Sequence, residues 1–263
     1  MTTYAIRVGG LGNQLFQLAA ARALDPDGDG RLVLGTPNGQ TAVEELAPAL
    51  APALGADELQ RVASVPADLR CSQPLGELPA AFVPRPTFNR RPVVLKGYFQ
   101  HPDWYTDSLA SMVDDLLAAA PPDIAQRVLA GGRSVVSVRG SDYLSLDRHL
   151  APGYYVAAMN AISPEAATVA SEDLDRAQII AGVLSVIGWN VAPPSAASAV
   201  DDFWSIAVAP MVVMANSTFC WWATQVGDEL YRRLGRPRTV VAPAEWIRGH
   251  GRELLAREWI AID

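Results

Sequence analysis

The sequence predicts an α/β protein, and three observations support this class. The second half of the chain alternates strand-like and helix-like segments, as in a parallel sheet covered by helices on both faces. The chain opens with a strand, a glycine-rich turn and a helix. Half of its 263 residues are hydrophobic, which is enough for one large core or two small ones.

The N-terminal strand and helix flank a glycine turn. Residues 4–8 are β-prone, and residues 14–24 have helical spacing. The glycines of Gly9-Gly10-Leu11-Gly12-Asn13 let the backbone approach a ligand closely. Leu15 stands where a dinucleotide-binding fingerprint would have its third glycine, so the sequence argues against the alternative of a Rossmann-type oxidoreductase.

Residues 31–95 are the least informative part of the chain. Residues 31–34 could form a strand, and the Ala/Pro-rich segment that follows predicts helices broken at Pro48 and Pro52. Residues 66–92 are rich in proline and are expected to be irregular.

A second good strand and a helix complete the first half. Residues 93–98 read as the strand and residues 103–117 as the helix, with another short helix before Gly132. We place the domain boundary near this short helix, which gives an N-terminal domain of residues 1–125 and a C-terminal domain of residues 126–263.

The second half carries polar residues just past its predicted strands. The elements are strand 134–138, helix 154–162, strand 178–181, helix 200–209, strand 211–215, strand 239–242 and helix 252–259. Ligands of parallel sheets bind beyond the carboxyl ends of the strands. Arg139, Asp142, Asn216, Ser217 and Glu245 are all expected there.

The segment Asn216-Ser217-Thr218-Phe219-Cys220-Trp221-Trp222 reads as a turn that opens a helix, with Ser217 or Asn216 as the N-cap. The first backbone N–H groups of such a helix and its partial positive charge form a seat for phosphate. An ordinary capped helix with aromatic anchors in the core is an equally good interpretation of these residues alone.

Arg139 and Asp142 also have two interpretations. A guanidinium near a helix N-terminus can fork onto two oxygens of a diphosphate. Asp142 could orient Arg139, accept from a ribose or cap the next turn. Taken in isolation, the pair is more commonly a structural ion pair.

Composition excludes several classes of function. The formal charge of −7 and the lack of a basic run exclude a typical nucleic-acid binder. Two distant cysteines and three histidines without ligand spacing predict neither a disulfide framework nor a metal site. No apolar run approaches about 20 residues and no leader pattern is present, so a cytoplasmic protein without an integral membrane segment is expected.

The ordered motifs resemble those of the α-1,2-fucosyltransferase-like family. Residues 9–17 resemble its N-terminal signature, and residues 216–222 match its C-terminal signature. Residues 95–100, 150–158 and 241–246 are similar to three weaker segments of the family. The resemblance covers most of the chain in the right order.

One departure concerns the family's arginine motif, His-x-Arg-Arg-x-Asp. Arg139 and Asp142 retain its first arginine and its aspartate, whereas Ser137 and Gly140 replace the histidine and the second arginine. The acidic segment expected near residues 181–183 is also missing. The pattern is nearer to the single-arginine version of protein O-fucosyltransferases, and it leaves a catalytically weak or inactive nucleotide-sugar-binding module as the alternative to an active enzyme.

The resemblance implies a GT-B fold, in which two Rossmann-like α/β domains face a cleft. The C-terminal domain would hold GDP-fucose, and the N-terminal domain would present an acceptor hydroxyl, in a bacterial-type inverting glycosyltransferase that needs no metal and no cofactor besides its donor. The residues implied in donor binding are Gly10, Gly12, Asn13, Arg139, Asn216, Ser217, Thr218 and Glu245. Those implied in catalysis are Arg139, Asp142 and Asn13. Asn13 could instead be a turn residue in a left-handed conformation.

Overall fold

A computed structural model describes residues 3–25, 31–33, 43–50, 56–74, 78–88, 93–140, 149–247 and 249–263. The chain divides into two compact units, Met1–Ala119 and Ala120–Asp263. Each unit contains a parallel sheet with helices, so the predicted α/β class with two Rossmann-like units is confirmed.

The described part of the first unit contains a four-stranded parallel sheet. Its strands are β1 (Tyr4–Ile6), β2 (Arg31–Val33), β3 (Arg70–Ser72) and β4 (Val94–Lys96), in the order β2-β1-β4-β3. Its helices are α1 (Leu11–Leu24), α2 (Val43–Leu46), α3 (Ala56–Ser64) and α4 (Thr106–Ala118). Short 3-10 turns lie at Pro48–Leu50, Ala67–Leu69, Leu78–Phe82 and Pro102–Trp104.

Helix α1 packs into the core of this unit, and most of its apolar side chains are buried. Leu15, Phe16 and Leu18 have no exposed surface, and the helix lies against β1, β2 and α4. The carboxylate of Asp25 follows the helix and accepts a hydrogen bond from the Thr3 backbone N–H at 3.1 Å. This contact joins the end of α1 to the start of β1.

The described part of the second unit contains a five-stranded parallel sheet. Its strands are β5 (Ser134–Ser137), β6 (Ala167–Ala170), β7 (Met211–Val213), β8 (Thr239–Pro243) and β9 (Ile260–Ile262), in the order β6-β5-β7-β8-β9. Its helices are α5 (Ile124–Ala130), α6 (Pro152–Ile162), α7 (Leu174–Val186), α8 (Ala199–Val208) and α9 (Thr218–Arg233), with a 3-10 turn at Arg252–Leu254.

Both faces of the interior strand β5 are covered. Val136 and Val138 belong to one core cluster with side chains of α6 and α7. Val135 alternates with them and is also buried, so the opposite face of the strand is covered too. The expectation of a parallel sheet covered on both faces therefore holds at β5.

Three predicted elements were wrong. The predicted strand 178–181 lies inside α7. Ala177, Ile180 and Leu184 are buried at helical spacing, and this packing outweighs the strand preference of the β-branched pair at 179–180. The expectation of irregular structure over residues 66–92 missed β3. The predicted helix 252–259 is a 3-10 turn that leads into β9, where pairing with β8 extends the sheet.

A buried arginine ties α8 to α9. The side chain of Arg238 is 3% exposed, and it donates to the carbonyl oxygens of Ile206, Ala209 and Thr224 at 2.7–3.0 Å. Its Nη1 also lies 2.6 Å from the Asp228 carboxylate. These bonds reach residues 10 to 32 positions away in the sequence. Arg238 therefore fixes α8 against α9, the helix whose N-terminus belongs to the candidate site.

Candidate functional site

Arg139 and Asn216 follow two neighbouring parallel strands. Val136 of β5 is paired with Val213 of β7, and each of the two site residues comes three positions after its paired valine. In chain order the sheet reads 2-1-3-4-5, so the connections from β5 and β7 leave in opposite directions. The carboxyl edge between these two strands is the place where open α/β sheets form a ligand crevice.

The predicted helix start after β7 is present. Ser217 is the N-cap of α9, with an extended backbone at φ −124° and ψ 126°, and its side chain makes no capping hydrogen bond. Its carbonyl accepts from the Trp221 N–H at 2.9 Å, the first bond of the helix. Thr218 opens the helix and is half-buried. The N-terminus of α9 thus brings partial positive charge to the edge that carries Arg139.

The buried side chain of Asn216 holds two loops together. Its Nδ2 donates to the Trp246 carbonyl at 3.0 Å, which links the end of β7 to the loop after β8. The residue is 3% exposed. Asn216 therefore has a structural task in this edge, whatever it contributes to ligand binding.

Both the backbone and the side chain of Arg139 contact neighbouring residues. The Tyr155 hydroxyl on α6 makes a hydrogen bond with the Arg139 backbone. Burial raises the pKa of Tyr155, so the phenol stays protonated at physiological pH. The Arg139 Nη1 lies 3.0 Å from Oε1 of Glu172, which comes just after β6, the strand on the other side of β5.

Ser137, which the motif resemblance would align with a histidine, is buried. It is the last residue of β5 and is 5% exposed. Its hydroxyl makes a hydrogen bond with the Cys220 side chain of α9. Cys220 is completely buried, and burial raises the pKa of its thiol. Burial keeps the thiol protonated, and the Ser137 contact, which acts to lower the thiol pKa, places the end of β5 beside α9.

Asp173 fills the space beside Gly140, the residue that the motif resemblance would align with a second arginine. A Cβ atom at residue 140 would lie 2.6 Å from Cβ of Asp173 and still closer to its Oδ2. Asp173 caps α7 through the Arg176 N–H at 2.9 Å, and Ser171 Oγ accepts from the Asp173 N–H at 3.0 Å. A capped turn after β6 therefore leaves no room for a side chain at residue 140.

A third acidic side chain belongs to the same surroundings. Asp202 lies in the first turn of α8, and its pKa is raised to about 6, first by burial and then by the charges of Asp201 and Glu172. Asp202 therefore feels the charge of Glu172, the ion-pair partner of Arg139.

Two predicted residues are less informative about the site. The Glu245 carboxylate accepts from the Gly249 N–H at 2.8 Å and pairs with Arg252 at 3.1 Å, so it orders the loop after β8. Its role in donor binding stays a prediction. Asp142 lies outside the described residues.

The glycine turn of the first unit holds Asn13 at the carboxyl edge of that unit's sheet. Asn13 is in the first turn of α1, and its Oδ1 accepts from Gln100 Nε2 at 3.2 Å. The left-handed alternative for Asn13 is wrong, because the positive φ of +74° belongs to Gly9. Gly10 is the N-cap of α1 in an extended conformation, and Gly12 is buried in the first helical turn.

Gln17 was not singled out from the sequence, yet it fixes this turn. It exchanges hydrogen bonds with the backbone of Val8 at 2.8 and 3.1 Å. Its Nε2 also donates to the Gly97 carbonyl at 2.9 Å, just after β4. The buried amide therefore joins the carboxyl ends of β1 and β4.

The sequence prediction also missed Glu172 and Asp173 because it missed β6. The four residues Ala167–Ala170 are too few and too small to give a clear strand signal. The usable signal was the segment Ser171-Glu172-Asp173 in front of the apolar spacing of α7, which is typical of a helix N-cap.

Two features are absent from the described residues. They contain no group of three or more His, Cys, Asp or Glu side chains placed to hold a metal ion. None of the described helices combines the length and the apolar character needed to cross a membrane.

No protein-family model matches the sequence, and no curated protein matches it. Among solved structures, POFUT1 in complex with GDP is 14% identical, covers 92% of this chain and 98% of its own, and has a TM-score of 0.46. Fucosyltransferase NodZ from Bradyrhizobium is 14% identical over 85% and 93%, with a TM-score of 0.47. Heptosyltransferase WaaC from E. coli, with ADP-2-deoxy-2-fluoro heptose, is 12% identical over 100% and 93%, with a TM-score of 0.46. Similarity at this level carries no argument about what the chain binds.

Proposed function

We propose that the chain is a glycosyltransferase that takes its sugar from a nucleoside diphosphate donor and transfers it to an acceptor hydroxyl. The observation that carries the proposal is the position of Arg139 and of the α9 N-terminus, which follow adjacent paired strands at the switch point of the second sheet. A guanidinium and a helix N-terminus on one edge are complementary to a diphosphate. The motif resemblance favours GDP-fucose as the donor.

The chemistry asked of these groups is stabilisation of the leaving diphosphate. Breaking the bond between sugar and phosphate builds negative charge on the phosphate oxygens, and donors aimed at that charge lower the barrier. Arg139, the hydroxyls of Ser217 and Thr218 and the first N–H groups of α9 are proposed to supply this stabilisation without a metal. An acceptor that attacks opposite the leaving group inverts the anomeric centre. Asn13 is proposed as a further contact to the donor.

The proton of the acceptor hydroxyl needs a base or a water route. Asp142 and Glu245 are the candidates from the sequence. Glu245 already shares its carboxylate between Gly249 and Arg252, so general-base action by Glu245 would require breaking that network. We therefore favour Asp142 or water over Glu245.

A thermal-shift screen with GDP, UDP, TDP and CMP sugars, followed by a GDP-release assay with the best donor, tests this proposal. We expect GDP-fucose to raise the melting temperature and GDP to be released when an acceptor is present. If no nucleotide sugar changes the melting temperature of the parent protein or of Arg139→Ala, the proposal is wrong.

A nucleotide-sugar-binding module without transferase activity is the second candidate. Ser137 and Gly140 favour it, because they replace two residues of the arginine motif and are engaged in core contacts. Tight binding of GDP-fucose without GDP release, with any acceptor or with water, would distinguish the module from the enzyme.

A further inference from the structure

We infer that Glu172 is a built-in competitor for the anion site of Arg139, which an incoming diphosphate must displace. This inference rests on the proposed function in one respect, since it takes Arg139 as the residue that contacts the anion. It assigns to Glu172 the role of setting how tightly that anion binds.

The contact between the two side chains is close but lightly held. One guanidinium nitrogen of Arg139 lies 3.0 Å from one oxygen of Glu172. The Glu172 side chain is 43% exposed, whereas that of Arg139 is 27% exposed. Partly exposed ion pairs contribute little free energy. The carboxylate can therefore rotate into solvent at small cost when a stronger anion arrives.

The backbone at Glu172 is held by the hydrogen bonds of its two neighbours, so the carboxylate stays within reach of the guanidinium even when it is displaced. Ser171 and Asp173 exchange hydrogen bonds at 3.0 and 3.1 Å, and Asp173 caps α7 at the Arg176 N–H. The backbone of Glu172 can stay in place while its side chain moves for the exchange. This arrangement resembles a tethered ligand more than a free ion in solution.

A diphosphate has the charge needed to displace Glu172 from Arg139. It carries more negative charge than one carboxylate, so it competes strongly for the guanidinium. The charge of Glu172 is also the smallest of three causes, after burial and the charge of Asp201, that raise the pKa of Asp202.

Gly140 reinforces the same effect. Asp173 occupies the space that a residue-140 side chain would need, so a second arginine has no place there. The turn after β6 thus supplies two carboxylates at an edge that presents a single arginine from the motif. We expect the parent protein to bind anions weakly for this reason.

Calorimetry with GDP and with inorganic pyrophosphate tests the inference. Glu172→Gln keeps the size of the side chain and removes its charge, and Glu165→Gln is the matched control. Glu165 is exposed and lies before the amino end of β6, so its variant makes the same charge change away from the carboxyl edge. Glu172→Ala repeats the measurement with a second substitution, and circular dichroism checks that all variants are folded.

We expect Glu172→Gln and Glu172→Ala to bind both probes roughly fivefold or more tightly than the parent, the effect of removing one competing surface charge. Glu165→Gln should bind as the parent does. Adding Arg139→Met should abolish the gain.

Weaker or unchanged binding by Glu172→Gln overturns the inference, and weaker binding would make Glu172 a positioning residue for Arg139. If such a variant still binds GDP through Arg139, the proposed function stands without the inference. If pyrophosphate binds more tightly to Glu172→Gln but no nucleotide sugar binds at all, the inference stands and the proposed function fails. If neither probe binds to any variant, both are wrong.

Discussion

Replacing Gly140 with alanine is expected to destabilise the second unit, because the new methyl group has no room. Its Cβ would lie 2.6 Å from both Cβ and Cγ of Asp173, well inside ordinary van der Waals contact. Forcing extra carbon into a filled space costs about 1–3 kcal/mol. Displacing Asp173 from the N-cap of α7 costs about 1 kcal/mol more. The lower chain entropy of alanine in the unfolded state returns about 0.4–1 kcal/mol.

The net loss should be about 1–3 kcal/mol, measured as the change in the free energy of unfolding from urea titrations followed by circular dichroism. Gly182→Ala is the control, because nothing lies within 4 Å of its Cβ position in the middle of α7. That substitution should stabilise the protein by about 0.5–1 kcal/mol.

A double-mutant cycle identifies the cause of the loss. Asp173→Gly removes the side chain that blocks residue 140, so Gly140→Ala should cost much less in that background. A Gly140→Ala protein as stable as the parent, or an equal loss in both backgrounds, would refute the steric argument.

Three further substitutions have defined outcomes. Arg238→Met should lower the free energy of unfolding by about 3–5 kcal/mol in urea titrations, because it leaves three backbone carbonyls without their donor and Asp228 with the Trp259 indole in place of two partners; a loss below about 1 kcal/mol would contradict the structural role of Arg238. Asp202→Asn should remove a pH dependence: the Asp202 pKa is raised to about 6 in the fold, so the parent loses stability relative to the variant as the pH rises from 4 to 6. Melting curves that keep the same difference at pH 4 and pH 7 would contradict this assignment. Gln17→Leu should cost about 2–4 kcal/mol, because it leaves the buried backbone groups of Val8 and Gly97 without their partner; melting at the parent's temperature would show that this amide is dispensable.

The sequence predicted the strand β7 and a helix N-cap at Ser217 or Asn216 because both features have local signals. An apolar run, a polar cap and a helical apolar spacing follow one another within 20 residues. The same reasoning located Arg139 at a strand end, since 134–138 is a short β-branched run. These features depend on near neighbours in the chain.

The contacts that modify the site join residues that are far apart in the sequence, so local patterns could not predict them. Glu172 reaches Arg139 only because β6 pairs with β5, and the small residues of β6 gave no strand pattern. Asp173 meets Gly140 for the same reason. Glu245 was expected among donor ligands, but its partners come from the loop that follows it.

Calorimetric titration of GDP into Arg139→Met tests the central claim most directly. The control is Arg133→Met, which removes the same charge from an exposed residue just before the amino end of the same strand. A diphosphate seat at the carboxyl edge between β5 and β7 predicts that Arg139→Met weakens GDP binding at least about tenfold while Arg133→Met leaves it unchanged. Equal GDP affinity in the parent and in both variants would contradict it.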